Sequence, residues 1–314
     1  MTLTLPHSRA ETLRYDAERG LVLLLDPSAP GGWTACADPT ALAQTVARDG
    51  TFDGRRRACA AAYGLALELH AQRGRPSDAR RGAVIMTAER MLQSLPEPAV
   101  RALLPRVLAR VDAALIAGQD AEALAISAVE QELRRGDRAA ERSGRIAAEL
   151  LDVRDRVLVH GGAGPAALAL FAAACPEPQS CPALLLAEAP GAPWLEAVLR
   201  ARGLAPQLVE AGAPPPFDLL VVAAERTALD GSVAALPGVA ALVEQARRQD
   251  TPCYALGYDG PDPDAPDAEA LQAGEIIPPA LISAIITHRG TYRPEMIARH
   301  LGDGDAPLDL IPLS

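Results

Sequence analysis

Residues 156–170, RVLVHGGAGPAALAL, constrain the fold more than any other stretch. Val157, Leu158 and Val159 form a short apolar run of the kind a buried strand needs. A His160-Gly161-Gly162-Ala163-Gly164 loop follows, and Pro165 then opens an alanine-rich helix. Proline costs no hydrogen bond there, because the first turn of a helix leaves its N–H groups unpaired. Glycines let backbone approach a ligand closely, and the free N–H groups of the helix favour an anion such as phosphate. These residues equally allow an ordinary strand-to-helix turn. The glycine spacing is not the full dinucleotide fingerprint, which also requires an acidic residue roughly 20 positions on.

The same alternation continues to the end of the chain. Apolar runs at 157–160, 183–188, 205–210, 218–225 and 252–258 read as strands, with helices at 193–203 and 233–249. Buried strands alternating with helices predict an α/β, Rossmann-like, doubly wound parallel sheet over residues 152–314. Ligands of such sheets lie outside the carboxyl ends of the strands. That rule selects the His160 loop, residues 188–194 and residues 225–232. In the tail, Pro279 is expected to start a helix that Gly290 ends, and Arg293-Pro294 to start another.

The first 151 residues read differently. Residues 13–25 suggest a small β-hairpin around Glu18-Arg19-Gly20, and nearly everything from Pro39 to about Leu151 is helical. Asp38 is a good N-cap with Pro39 at the first helical position. Glu130–Arg134 and Glu132–Arg135 have the spacing of ion pairs along a helix. A mainly helical domain over residues 1–151 is expected.

Composition removes several kinds of chemistry. The net charge of −10 argues against a nucleic-acid partner or an anionic membrane surface. All 30 basic side chains are arginine. Without lysine there is no Schiff base and no complete Walker A motif. Five cysteines without a CxxC pair and five scattered histidines predict neither a zinc site nor a disulfide framework. No apolar run reaches the ~18 residues of a membrane span. The opening MTLTLPHSRAETLRYD lacks a signal-peptide core, so a cytoplasmic location is expected.

The run IIPPALISAIITHRG, 276–290, resembles the C-terminal signature of methylthioribose-1-phosphate isomerases. Their relatives are the ribose-1,5-bisphosphate isomerases and the alpha, beta and delta subunits of translation initiation factor 2B. GLVLLLD (20–26), AAAYGLAL (60–67), GRP and MTAERM between 74 and 91, and VVAAERTALDG (221–231) agree with that family in the same order. The resemblance implies a helical N-terminal domain, a Rossmann-like C-terminal domain, a homodimer and no cofactor or metal. It implies a phosphorylated ribose-type ligand and, by the precedent of the initiation-factor subunits, a protein partner.

Active members interconvert an aldose phosphate and a ketose phosphate, using a cysteine directly after the loop histidine and an aspartate on a later sheet loop. This chain has Gly161 at the cysteine position and Glu225 at the aspartate position. The following Asn-Lys pair is replaced by Ala235-Leu236, and a glutamine by Glu196. The substrate-loop arginine region becomes Phe52-Asp53-Gly54-Arg55, while Arg75 persists as a candidate phosphate clamp. Glu225 and His160 are therefore the candidate catalytic residues. Gly161, Gly162, Ala163, Gly164, Arg75, Glu196 and Gly231 are the candidate ligand-binding residues. For His160 a satisfied structural role stands equally open. Cys59 reads as a buried structural thiol. Three functions follow: a ligand-binding protein without the standard isomerase reaction, a sugar-phosphate isomerase acting through Glu225 on an altered substrate, and a non-catalytic regulatory or partner subunit.

Overall fold

The computed structural model describes residues 12–25, 32–48, 54–160, 164–175, 183–189, 192–210, 212–257, 262, 265–271 and 274–299. The chain divides into two compact units, Met1–Arg135 and Gly136–Ser314.

In the first unit, β1 (Leu13–Asp16) and β2 (Leu21–Leu25) form the expected hairpin. A third antiparallel strand, β3 (Trp33–Cys36), pairs with β2. Helices α1 (Pro39–Arg48), α2 (Gly54–Ala71), α3 (Ser77–Ser94), α4 (Pro98–Ile116) and the start of α5 (Ala121–Ala148) follow. Asp38 caps α1 as expected, its two oxygens accepting from the backbone N–H groups of Thr40 (3.1 Å) and Ala41 (2.8 Å). Helix α2 runs through the centre, with eleven consecutive or near-consecutive residues buried between Ala58 and Leu69. Alanine suits such a helix because it lets neighbours approach from every side without side-chain entropy cost. Helix α4 continues through Pro105, which lies exposed on its surface.

Polar groups inside this unit are tied together. The Glu122 carboxylate is almost fully buried. It accepts from Tyr15 Oη (3.2 Å), Arg73 Nε (2.9 Å) and Arg73 Nη2 (2.9 Å), and lies 3.0 Å from His70 Nδ1. Glu130 pairs with Arg134 at 3.4 Å as expected. Glu132 does not pair with Arg135; it reaches across to Arg55 on α2 at 3.2 Å. A tertiary partner of that kind is invisible to helix spacing.

The second unit carries a seven-stranded sheet. Its strands are β4 (Arg156–His160), β5 (Ala183–Ala187), β6 (Gln207–Val209), β7 (Leu219–Ala223), β10 (Cys253–Leu256), β12 (Ala284–Thr287) and β13 (Gly290–Tyr292). The order is β13-β12-β10-β7-β4-β5-β6, with only the β12–β13 pairing antiparallel. The chain runs outward from β4 to β6, returns to β7 beside β4, and continues the other way. This is the doubly wound α/β arrangement, with its switch point between β4 and β7. Helices α6 (Gly164–Ala174), α7 (Ala192–Ala201) and α8 (Val239–Arg248) connect strands.

Where α5 enters this unit it packs against α6 without intervening side chains. A Cβ on Gly144 would lie 2.6 Å from Ala166 O, Ala169 Cβ and Leu170 N. Only glycine fits that contact.

Four expectations are corrected. Residues 233–249 are not one helix: β9 (Val233–Ala235) forms a small antiparallel sheet with β8 (Arg226–Thr227) and β11 (Glu275–Ile277) before α8 begins. The tail helix expected from Pro279 is one 3-10 turn, Pro279–Leu281, followed by the buried strand β12. Likewise Pro294 opens only the 3-10 turn Pro294–Met296. Cys175, just after α6, is disulfide-bonded, contrary to expectation. Cys36, Cys59 and Cys253 are free and buried.

No helix among the described residues is long and apolar enough to cross a membrane.

Candidate functional site

The carboxyl edge of the sheet at the switch point brings two candidate residues near one another in topology. His160 is the last residue of β4 and pairs in register with Val222 of β7. Glu225 follows the end of β7, its backbone N–H donating to Ala234 O at 2.9 Å. The small sheet β8-β9-β11 grows directly from this edge, because β8 begins one residue after Glu225.

His160 is fully buried, and neither ring nitrogen makes a hydrogen bond among the described residues. Burial pushes its pKa below the ordinary 6.5, and the nearby Glu275 charge and Pro237 carbonyl only partly oppose that. The imidazole is therefore neutral at neutral pH, the form that can accept a proton. A Cβ on Gly238 would lie 3.5 Å from Nε2, so the residue before α8 borders the ring.

Sequence reasoning missed Glu275. Projecting from β11, its carboxylate accepts from the Gly238 N–H (2.8 Å) and the Ala240 N–H (2.8 Å). Gly238 is the N-cap of α8 and Ala240 lies in its first turn, where a helix presents unpaired N–H groups and a partial positive charge. Those backbone bonds hold the carboxyl below the usual carboxylate range, and its interaction with His160 lowers it slightly further. An internal anion thus occupies the α8 N-terminus. The only hint in the sequence was one acid beginning an otherwise apolar run, GEIIPP.

Glu225 is exposed, so of the two candidate proton carriers it is the one solvent reaches. Its neighbour Arg226 points elsewhere: Nε and Nη2 donate to Asp262 Oδ2 at 3.1 and 2.6 Å, and Nη1 to the Leu271 carbonyl. Arg226 thereby fastens the segment around residues 265–271 over the β8–β9 turn. In that turn Asp230 accepts from the Ser232 N–H at 2.8 Å. Gly231 has φ +88°, and a Cβ there would meet Pro294 O at 2.5 Å. Conformation and packing both require glycine at this position.

The other candidates are dispersed. Glu196 lies in α7 with its carboxylate on Arg200 at 2.8 Å. Gly164 begins α6, as the strand–loop–helix reading expects, whereas Gly161, Gly162 and Ala163 lie outside the described residues. Arg75 belongs to the first unit, exposed in the turn between α2 and α3, with no ion pair among the described residues. Ala235, at the position of the missing amide, is fully buried in β9.

The free cysteines among the described residues are all buried. Cys59 is fully buried in α2, and Cys253 is buried at the start of β10 with its pKa pushed up to about 12. Burial thus disfavours the Cys253 thiolate. Among the described residues no group of three or more His, Cys, Asp or Glu is placed to hold a metal ion.

No protein-family model and no curated protein sequence matches the chain. Solved structures do. The 5-methylthioribose 1-phosphate isomerase from Pyrococcus horikoshii OT3 superposes with a TM-score of 0.71 and 17% identity, over 93% of this chain and 94% of that one. Translation initiation factor eIF-2B, subunit delta, from A. fulgidus gives 0.66 and 18%, over 91% and 96%. A chain of the tetrameric eIF2B-beta2-delta2 complex from C. thermophilum gives 0.59 and 19%, over 84% and 93%. The chain has the fold that these proteins share.

Proposed function

We propose that this chain, built on the fold of methylthioribose-1-phosphate isomerases and initiation factor 2B subunits, is a diverged member of that family. It binds a phosphorylated ribose-type ligand at the β4–β7 switch point and does not carry out the standard aldose-to-ketose reaction. The observation that carries this reading is the chemistry left at that edge. A neutral buried imidazole and an exposed carboxylate follow adjacent parallel strands, but the position after His160 is glycine and the buried thiols lie elsewhere. An isomerase must move a proton, or its hydride equivalent, between adjacent carbons, with groups held to within about an ångström. Glu225 alone, exposed and one methylene longer than aspartate, is a poor replacement for a cysteine–aspartate pair.

In this reading the first turn of α6 holds the phosphate, Glu196 contributes to ligand binding, and Gly231 shapes the neighbouring turn. The chain works as a homodimer with a protein partner.

A second reading keeps catalysis, supported by the exposed Glu225 carboxylate at the same strand edge as a neutral histidine. The experiment that separates them is incubation with methylthioribose-1-phosphate and ribose-1,5-bisphosphate, followed by NMR for ketose product and by thermal unfolding. Binding without turnover supports the proposal. Turnover that Glu225→Gln abolishes replaces it with the second reading, and neither binding nor turnover overturns both.

A further inference from the structure

Helices α4 and α5 of the first unit enclose a groove of about 240 Å³ whose walls carry Arg106 and Arg110 from α4 and Arg135 from α5. We propose that this groove is a binding site for a compact, multiply charged phosphate compound of the diphosphate class, separate from the switch-point site.

Three observations converge on it. Arg106, Arg110 and Arg135 are all exposed, and none has a hydrogen bond or ion pair among the described residues. Two exposed arginines elsewhere on α5 are matched by carboxylates one turn away, Arg134 with Glu130 at 3.4 Å and Arg145 with Glu141 at 3.7 Å, while Arg138 and Arg142 stand alone on the surface among the described residues and do not line this groove. The one carboxylate in the groove, Glu132, is drawn off by Arg55 at 3.2 Å and leaves the three charges uncompensated.

Helix geometry makes this an unfavourable arrangement in the absence of a ligand. Arg106 and Arg110 stand one turn apart on the same face of α4, where like charges repel. Gln131 and Arg135 stand one turn apart on α5 and complete the opposite wall. In a chain of net charge −10, acidic partners for these arginines were available in the composition. A bound anion relieves the repulsion instead.

The ligand class follows from the donors and the size. Guanidinium groups present paired N–H donors that match phosphate oxygens two at a time. Gln131 adds a neutral amide suited to an ester or hydroxyl oxygen, and Leu103 and Val107 give an apolar floor. The volume falls below the ~300–1,000 Å³ of sites for drug-sized ligands, which suits a diphosphate group better than a whole dinucleotide or an extended acidic peptide.

The test uses inorganic pyrophosphate as the probe, with calorimetry and thermal unfolding of the full chain. The wild type is expected to bind and to gain thermal stability. The triple variant Arg106→Ala, Arg110→Ala, Arg135→Ala is expected to lose affinity at least tenfold. Arg134→Ala, which removes the same charge from a paired position on α5, should leave affinity within twofold. Unfolding without ligand checks that each variant folds; exposed Arg-to-Ala changes favour helix. Absence of pyrophosphate binding in the wild type, equal affinity in the triple variant, loss of affinity in Arg134→Ala, or tighter binding of a hexaglutamate peptide than of pyrophosphate would each overturn the proposal.

Discussion

Two histidines, one in each unit, each have a glutamate for a neighbour, and they are held in opposite ways. His70 lies 3.0 Å from Glu122, whose oxygens also take Tyr15 and Arg73, so the whole cluster is bonded. His160 is more deeply buried and has no side-chain partner among the described residues, only the Pro237 carbonyl nearby, while its neighbour Glu275 spends its oxygens on the N-terminus of α8. Buried polar groups are normally satisfied, and an exception calls for an explanation. The bonded cluster ties a hairpin strand, α2 and α5 together and is sufficiently explained by stability. The imidazole at the switch point lacks such a network, and the ligand site proposed above is placed beside it.

The comparison breaks most easily at its stable half. Glu122→Ala strands Tyr15, His70 and Arg73 at once and is expected to cost about 3 kcal/mol, at the lower end for a broken buried pair because Arg73 is half exposed. Urea unfolding measures it, and a loss under about 1 kcal/mol would mean that the cluster is not structural. Next comes Glu275→Ala, which uncaps α8 and should cost about 1–2 kcal/mol. Because the carboxyl's pKa is lowered on folding, its contribution is present above the ordinary carboxylate range and disappears as pH falls through the depressed value. A stability–pH curve of the variant should therefore be flatter at acid pH than that of the wild type.

His160→Phe is the sharper probe of the other half. At pH 7.5 it should change stability by less than about 1 kcal/mol, since no side-chain partner among the described residues is stranded. Below pH 6.5 the difference grows. The folded-state pKa lies beneath the ordinary 6.5, so the unfolded chain binds the proton first and the wild type loses stability from about 6.5 down to the depressed value. The phenylalanine variant lacks that loss. Equal slopes between pH 7.5 and 5.5 would place the imidazole in contact with water or a partner. Smallest of all, Glu225→Gln should alter stability by no more than about 0.5 kcal/mol, as an exposed residue does. Its effect should appear only in ligand-dependent stabilisation, measured by thermal unfolding with the sugar phosphates.

How legible such a molecule is depends on whether an element's pattern is local. The parallel strands were readable because Val157–Val159 and Leu219–Val222 are uninterrupted apolar runs between helices, and α1 because Asp38 and Pro39 mark its start. Val233–Ala235 was read as helix because three apolar residues carry no period, and only pairing with Glu275–Ile277 makes them a strand. Ala284–Thr287 was misread because Pro279 is a sound helix start; the β-branched Ile285, Ile286 and Thr287 were the overlooked warning. Of the site, the strand-end positions of His160 and Glu225 followed from sheet rules, whereas Glu275 capping α8 and Arg226 holding Asp262 are long-range bonds that no spacing encodes.

The contact between Gly231 and Pro294 has a consequence for how the protein is made. The turn beside the candidate site presses its backbone on a residue near the end of the described chain, and β12 joins β10 from the same late segment. Contacts of such long sequence separation form slowly. During synthesis the helical unit can be complete while this edge of the sheet still waits for its last strand, exposing apolar surface. Products cut short before residue 284 should therefore keep a folded first unit, aggregate through the unfinished second, and be the natural clients of chaperones in any cell that makes this protein.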